Sequence, residues 1–234
     1  RVNVPLLDVV SGAPELDANN RAIVWGGQIA DDGDYFQLRL VGSNSGLHLY
    51  SQQMRRHPQA GEAVSVTING RVATITAAGT YALSGALTDG QIIVDTEDEA
   101  VVTLVLNGVD ISNSTTAPIA ILNAEEVVIV LADNSANNVT DAASYVFPNA
   151  EEDEPNAAIF SNADLTLSGN GSLTVTANYN DAISSDDGLT IAGGTITVSA
   201  VDDGLRGKDY LLIQGGTINV AAAGDGLKSD NEDD

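Results

Sequence analysis

The sequence predicts an all-β chain coiled into a right-handed parallel β-helix, and three observations predict it. A step of 22 residues carries Asp181 to Asp203 to Asp225, Ile183 to Leu205 to Leu227, and Gly193-Gly194 to Gly215-Gly216. Self-similarity at a fixed step of this size marks a solenoid, because so small a unit cannot bury its apolar side alone and must stack on its neighbours. Within each unit apolar residues alternate, as in Leu189-x-Ile191 and Ile196-x-Val198, with Thr190, Thr195 and Thr197 between them. Alternation of this kind, rich in β-branched residues and closed by Gly-Gly or Asp-Gly, reads as short strands joined by tight turns. No window holds the i, i+3, i+4, i+7 pattern of an amphipathic helix. Composition agrees: 43% of the 234 residues are hydrophobic, yet only 4% are aromatic, which suits the narrow interior of a coil about 22 residues long.

In chain order, residues 1–61 lack the 22-residue step and form an extended arm with a small β module or cap. Val2 to Val10 is apolar and extended, with Pro5 marking it as an edge strand or arm. Ala22 to Ile29, Tyr35 to Val41 and Gly46 to Tyr50 read as strands, and this part also holds Trp25 and the Arg55, Arg56, His57 cluster. From residue 62 the β-helix domain runs to residue 234. Its first coils, through Val64 to Ile68, Val72 to Ile75, Tyr81 to Leu83, Ile92 to Val94 and Val101 to Leu106, are less regular than the last ones. Ile119 to Leu122 and Val127 to Leu131 give another coil. An insertion then spans Ala132 to Pro155, with Glu151 to Glu154 inside it; long insertions in solenoids gather on one face, often the binding face.

Charge sharpens the reading. The formal net charge is -24; residues 1–71 carry six basic and seven acidic side chains, whereas residues 72–234 carry three and 26. Such a surface repels nucleic acid and anionic lipid. Equivalent residues of successive coils stack at ~4.8 Å, so Asp181, Asp203 and Asp225 form a column of like charges. Neighbours in it repel by about 3 kcal/mol at an effective dielectric near 20. Asp186, Asp187, Asp202, Asp209 and Asp230 are expected to crowd the same turn. Hard oxygen donors at this density, with no Cys in the chain, point to calcium as the neutralising ion; the plainer alternative is a solvated acidic edge.

The segments ITAAGTYALSGAL (75–87), DGQIIVD (89–95), VTLVLNGVDI (102–111) and NAAIFSNADLTLSGNGSLTV (156–175), with the later DDGL and GDGL turns, carry a family resemblance. Residues 62–234 resemble the calcium-dependent carbohydrate-binding β-helix family first described in a cellulolytic clostridium, and more faintly the calcium-dependent pectate lyases. The resemblance implies a right-handed parallel β-helix, calcium held between coils by Asp side chains and backbone carbonyls, and binding of cellulose or acidic polysaccharide such as polygalacturonate. Asp181, Asp203 and Asp225 stand where that family places its acidic turn residues, with Asp187, Asp202 and Asp209 as further ligands. Tyr179, Arg206, Lys208, Tyr210 and Lys228 are the residues expected to meet the carbohydrate. Acidic polysaccharide is favoured, since calcium bridging needs fewer aromatic rings than a crystalline cellulose surface does.

A pectate lyase would need a base, and Arg206, Lys208 and Lys228 are the cations on hand. Arg206 and Lys228 share one register beside the Asp column, where offsetting carboxylates is the simpler role, so the expectation is a non-catalytic protein. The chain ends at Asp234 about half a coil after Asp225, leaving unpaired strand edges. Head-to-tail strand donation there would build a homopolymer, so a calcium-stabilised filament subunit is the alternative. The opening on Arg1, together with the resemblance, reads as the mature form of a secreted prokaryotic protein, extracellular or at the cell surface, without membrane insertion.

Overall fold

Why the chain coils rather than folding into hairpins follows from its turns: parallel neighbours need a crossover, and here the crossover is the rest of the coil. The computed structural model describes residues 66–149 and 151–231 and, before them, the backbone of five short strands. The expected arm at Val2 to Val10, Trp25 and the Arg55 to His57 cluster lie outside the described residues. The five strands are β1 (Glu15–Leu16), β2 (Ala22–Ile23), β3 (Gly27–Ala30), β4 (Gly33–Arg39) and β5 (His48–Ser51), followed by β6 (Val66–Asn69). The first two coils are β7 (Val72–Ile75) with β8 (Gly79–Leu87), and β9 (Gln91–Asp95) with β10 (Val102–Ser112). Three strands then make each coil: β11 (Ile119–Asn123), β12 (Glu126–Leu131) and β13 (Ala136–Thr140); β14 (Ala157–Ser161), β15 (Asp164–Gly169) and β16 (Ser172–Thr176). The last coils are β17 (Asp181–Ser185), β18 (Gly188–Ile191) and β19 (Thr195–Ala200), then β20 (Leu205–Gly207), β21 (Tyr210–Ile213) and β22 (Thr217–Ala222), with β23 (Leu227–Ser229) opening one more.

Every coil pairs with the next in parallel, and no described residue is helical. The chain is therefore a parallel β-solenoid of about six turns. The first face runs β7-β9-β11-β14-β17-β20-β23. The second stacks β10, β12, β15, β18 and β21, and the third stacks β10, β13, β16, β19 and β22. Strand β10 serves both, because its first half pairs with β12 and its last three residues with β13. It turns the corner at a register shift between Leu106 and Val109, where Gly108 has a φ of 76°. At the other end of the stack, β6 pairs antiparallel with β7, and β5 antiparallel with β8.

Inside, like stacks on like. Ile92, Ile119, Ile159, Ile183 and Leu205 form one column of the first face, and each is fully buried. Leu104, Ile129, Leu167 and Ile191 do the same on the second face. Burying each such side chain contributes roughly 1.5–3 kcal/mol, so each added coil stabilises its neighbour. The same columns show the step of 22 residues to hold only from Ile183 to Leu205 to Leu227; the earlier coils vary in length.

The insertion needs correcting. Ala132 to Thr140 complete an ordinary coil, because β13 lies among them, and the extra loop is 141–156. Its strand was hidden because Asn137, not an aliphatic residue, fills the first inward position. That amide is 1% exposed and accepts the Gly108 and Val109 N–H groups at 2.9 and 3.1 Å while donating to Ser135 Oγ and the Ser172 carbonyl. The loop crosses the outer side of the first face. Val146 N–H donates to the Thr115 carbonyl (2.8 Å), and the outward residues Ala120, Phe160 and Ser184 are at most 1% exposed beneath it.

Candidate functional site

The corner between the third face and the first carries the 22-residue Asp column. Asp181 and Asp203 are 2% and 4% exposed. The Asp203 N–H donates to Asp181 Oδ1 (3.0 Å), and the Asp225 N–H donates to Asp203 Oδ1 (2.8 Å). Lower in the stack, the Asn178 N–H donates to Asp141 Oδ1 (2.5 Å). A buried main-chain donor must find an acceptor, and at this corner each carboxylate reaches up one coil to supply it. The recurrence of Asp at one register thus has a structural cause that the spacing by itself did not reveal.

The second oxygens face cations. Lys228 Nζ lies 2.9 Å from Asp203 Oδ2, and Arg206 Nη1 lies 3.8 Å from Asp181 Oδ2. Arg206 Nε also donates to Asp230 Oδ2 at 2.6 Å. The Asp203 bond holds the Lys228 ammonium above its usual range, and the Asp230 bond does the same for Arg206 against the pull of burial. Burial pushes the Asp181 carboxyl up to about 6, with the Asp203 charge adding to it; the Asp203 N–H and the Arg206 guanidinium offset only part.

Asp202 joins Asp181 and Asp203 from the solvent side. The three offer carboxylate oxygens that all lie within 4.8 Å of one another. One coil below, the Asn156 carbonyl accepts the Asp181 N–H (3.2 Å), while Asn156 Oδ1 is buried with no hydrogen-bond partner. Orphaned buried acceptors are costly, and a set made wholly of oxygens suits a hard cation rather than a soft one. The residues present therefore fit calcium, with Lys228 and Arg206 competing for the same charge.

The structure divides the other expected ligands. Asp225 stands above Asp203 in the column and is exposed. Asp186, Asp187, Asp209 and Asp230 do not share this turn: they follow the other end of their first-face strands, because β17, β20 and β23 intervene. Of these, Asp230 reaches back, through both Arg206 (2.6 Å) and Lys228 (3.7 Å). Around Asp187 a second acidic corner forms, and burial, then the charges of Asp164 and Asp209, raise its pKa. Lys208 pairs loosely there with Asp186 (3.7 Å) and is 53% exposed.

The two tyrosines differ. Tyr179 stacks on Tyr145, ring centroids 4.2 Å apart, with Phe147 tilted against both, so one face of its ring is spent on holding the 141–156 loop. The Tyr145 hydroxyl fixes this cluster by donating to Asp141 Oδ2 (2.8 Å). Tyr210 instead lies flat on the second face. A Cβ on Gly188 would fall 2.0 Å from its Cζ, its hydroxyl donates to Asp164 Oδ1 (3.2 Å), and 44% of the residue is exposed. Sequence reasoning missed Asp141, Asn156 and Asp164, whose signal lies in the irregular early coils where no step of 22 picks them out.

A curated carbohydrate-binding domain-containing protein of Acetivibrio thermocellus is 47% identical over 135 residues, which are 58% of this chain and 47% of the relative. The chain thus spans about half the length of that relative. A solved structure, described as the polysaccharide lyase-like protein from C. thermocellum in a gadolinium derivative, superposes with a TM-score of 0.72. It is 43% identical, and the match covers 74% of this chain and 70% of that one. The family model for carbohydrate-binding domain-containing proteins matches residues 69–234, nearly the whole solenoid, and the chain belongs to that family.

Proposed function

We propose that the chain is an extracellular, non-catalytic, calcium-dependent binder of acidic polysaccharide. The observation that carries this reading is the corner at which carboxylate oxygens of Asp181, Asp202 and Asp203 converge within 4.8 Å of one another, with the Asn156 carbonyl accepting the Asp181 N–H one coil below. Calcium, when bound, supplies positive charge that a uronate carboxylate can share. Asp202 is the exposed member of the set and opens the site to a polymer, while Asp181 and Asp203 tie it to the coil ladder. The solved relative is described as a gadolinium derivative, and gadolinium is a hard, oxygen-seeking cation; this supports the choice of ion class. Tyr210 presents one open ring face for sugar stacking, and Lys208 lies at the neighbouring corner.

Catalysis is disfavoured by the state of two of the three candidate bases. A lyase base must be able to lose its proton, yet Arg206 and Lys228 are both held protonated by carboxylates. A ligand that is a wall or matrix polymer puts the protein outside the cell. Residues 1–61 serve as a cap, a reading supported by the antiparallel addition of β5 to β8 at the start of the stack.

The test is retention on insoluble polygalacturonate in millimolar calcium and in chelator, for the native chain and Asp202→Ala. Retention in calcium, lost in chelator and weakened at least tenfold in the variant, is expected. Retention indifferent to calcium refutes the reading, and sedimentation of the protein alone in calcium replaces it with head-to-tail filament assembly.

A further inference from the structure

Where the third face meets the first, the two oxygens of each column carboxylate have separate duties. The first accepts a main-chain N–H from the next coil, at Asp141, Asp181 and Asp203 alike. The second takes a different partner in each coil: the Tyr145 hydroxyl at Asp141, the Arg206 guanidinium at Asp181 and the Lys228 ammonium at Asp203. Positive charge thus already stands at the two carboxylates that Asp202 joins, whereas at Asp141 the partner is a neutral hydroxyl. The two cations are held unequally. Arg206 is anchored away from the column, because its Nε donates to Asp230 Oδ2 at 2.6 Å while Nη1 stays 3.8 Å from Asp181 Oδ2. Lys228 brings its ammonium to within 2.9 Å of Asp203 Oδ2, on a flexible four-carbon stem that is 34% exposed. Asp230 Oδ1 lies 3.7 Å from the same nitrogen and gives it a second carboxylate within reach.

We infer that Lys228 is the built-in occupant of this corner, yielding Asp203 to a hard divalent cation and turning its own ammonium toward Asp230 and solvent. The inference rests on the calcium reading above and adds the residue that couples cation to anionic ligand. Three carboxylates with oxygens within 4.8 Å of one another, two of them on buried residues, need positive charge in either state. An ammonium and a metal ion sharing Asp203 Oδ2 would repel each other strongly at such close range, so one excludes the other. Of the two side-chain cations, Lys228 is the one free to go. Once released, its charge stands at the rim of the corner, where an anionic chain meets it. Coupling of this kind is reciprocal, so an anion held by Lys228 tightens the cation in turn.

The sequence favours a direct test, since Lys208 and Lys228 are its only lysines. Acetylation of the native chain by a soluble active ester, read by peptide mass spectrometry, compares calcium with chelator at matched ionic strength. Calcium is expected to raise the labelling rate of Lys228 severalfold relative to Lys208, which lies at the other corner 3.7 Å from Asp186. In calorimetric titration Lys228→Met should bind calcium about tenfold more tightly than the native chain, having lost the competing charge. Lys228→Arg, which keeps a cation, should restore the native affinity. Calcium binding that leaves Lys228 labelling unchanged, or raises both lysines equally, overturns the inference alone. Calcium affinity in Lys228→Met no higher than native does the same. Absence of calcium binding by both the native chain and Lys228→Met overturns the inference together with the calcium reading, so the two failures are told apart.

Discussion

Asp181 is held by its surroundings at a protonation balance far from that of a free carboxyl. Its pKa rises from 3.8 to about 6, first because burial penalises the charge. The folded chain therefore binds this proton more tightly than the unfolded chain does. Its contribution to stability is full below pH 3.8 and is lost as pH rises through about 6. At about 1.4 kcal/mol per unit, that loss is roughly 3 kcal/mol. In chelator, Asp181→Asn keeps an oxygen for the Asp203 N–H but removes the charge. The difference in urea-unfolding free energy, variant minus native, should grow in favour of the variant between pH 4 and pH 7. Parallel profiles for the two proteins would show that this carboxyl does not carry the effect. The Asp column itself was legible at this scale, since a step of 22 puts Asp181, Asp203 and Asp225 in line; its hydrogen-bonding role was not, because a backbone donor left free at a corner has no signature in side-chain identity.

Glycines at the corner between the second and third faces show what an element needs beyond its pattern. Gly169, Gly194 and Gly216 have φ values of 95°, 88° and 90°, a region L side chains rarely adopt. At Gly169 an added Cβ would fall 2.2 Å from the Leu131 carbonyl oxygen of the coil below. Gly169→Ala is expected to destabilise the chain by more than about 2 kcal/mol, from strain plus the clash. Urea unfolding checks this, and a loss under 0.5 kcal/mol would mean the corner relaxes at little cost. The alternating strands of the last coils were readable from sequence because aliphatic and hydroxyl residues take turns there. Strand β13 was not, since its inward Asn137 is tolerated only because the corner brings it the Gly108, Val109, Ser135 and Ser172 partners.

For the whole molecule, charge acts against compactness. Residues 72–234 carry 26 acidic and three basic side chains, so stacked coils repel one another. Raising sodium chloride from 10 to about 500 mM in chelator shortens the screening length from roughly 30 Å to under 10 Å. The melting temperature should rise by several degrees; a flat or falling response would show that local pairs such as Lys228 with Asp203 already balance the field. By itself the sequence determined the class of fold, the direction of stacking and the acidic column, because a repeat copies local pattern and register from one coil to the next. Only the tertiary structure decided which acidic residues converge, since the two ends of a short first-face strand look equally acidic in sequence yet lie at different corners. It also decided that Tyr179 is spent on Tyr145 while Tyr210 stays open. Those properties depend on what a loop covers and on which side of a strand faces out, and neither is written in any single repeat.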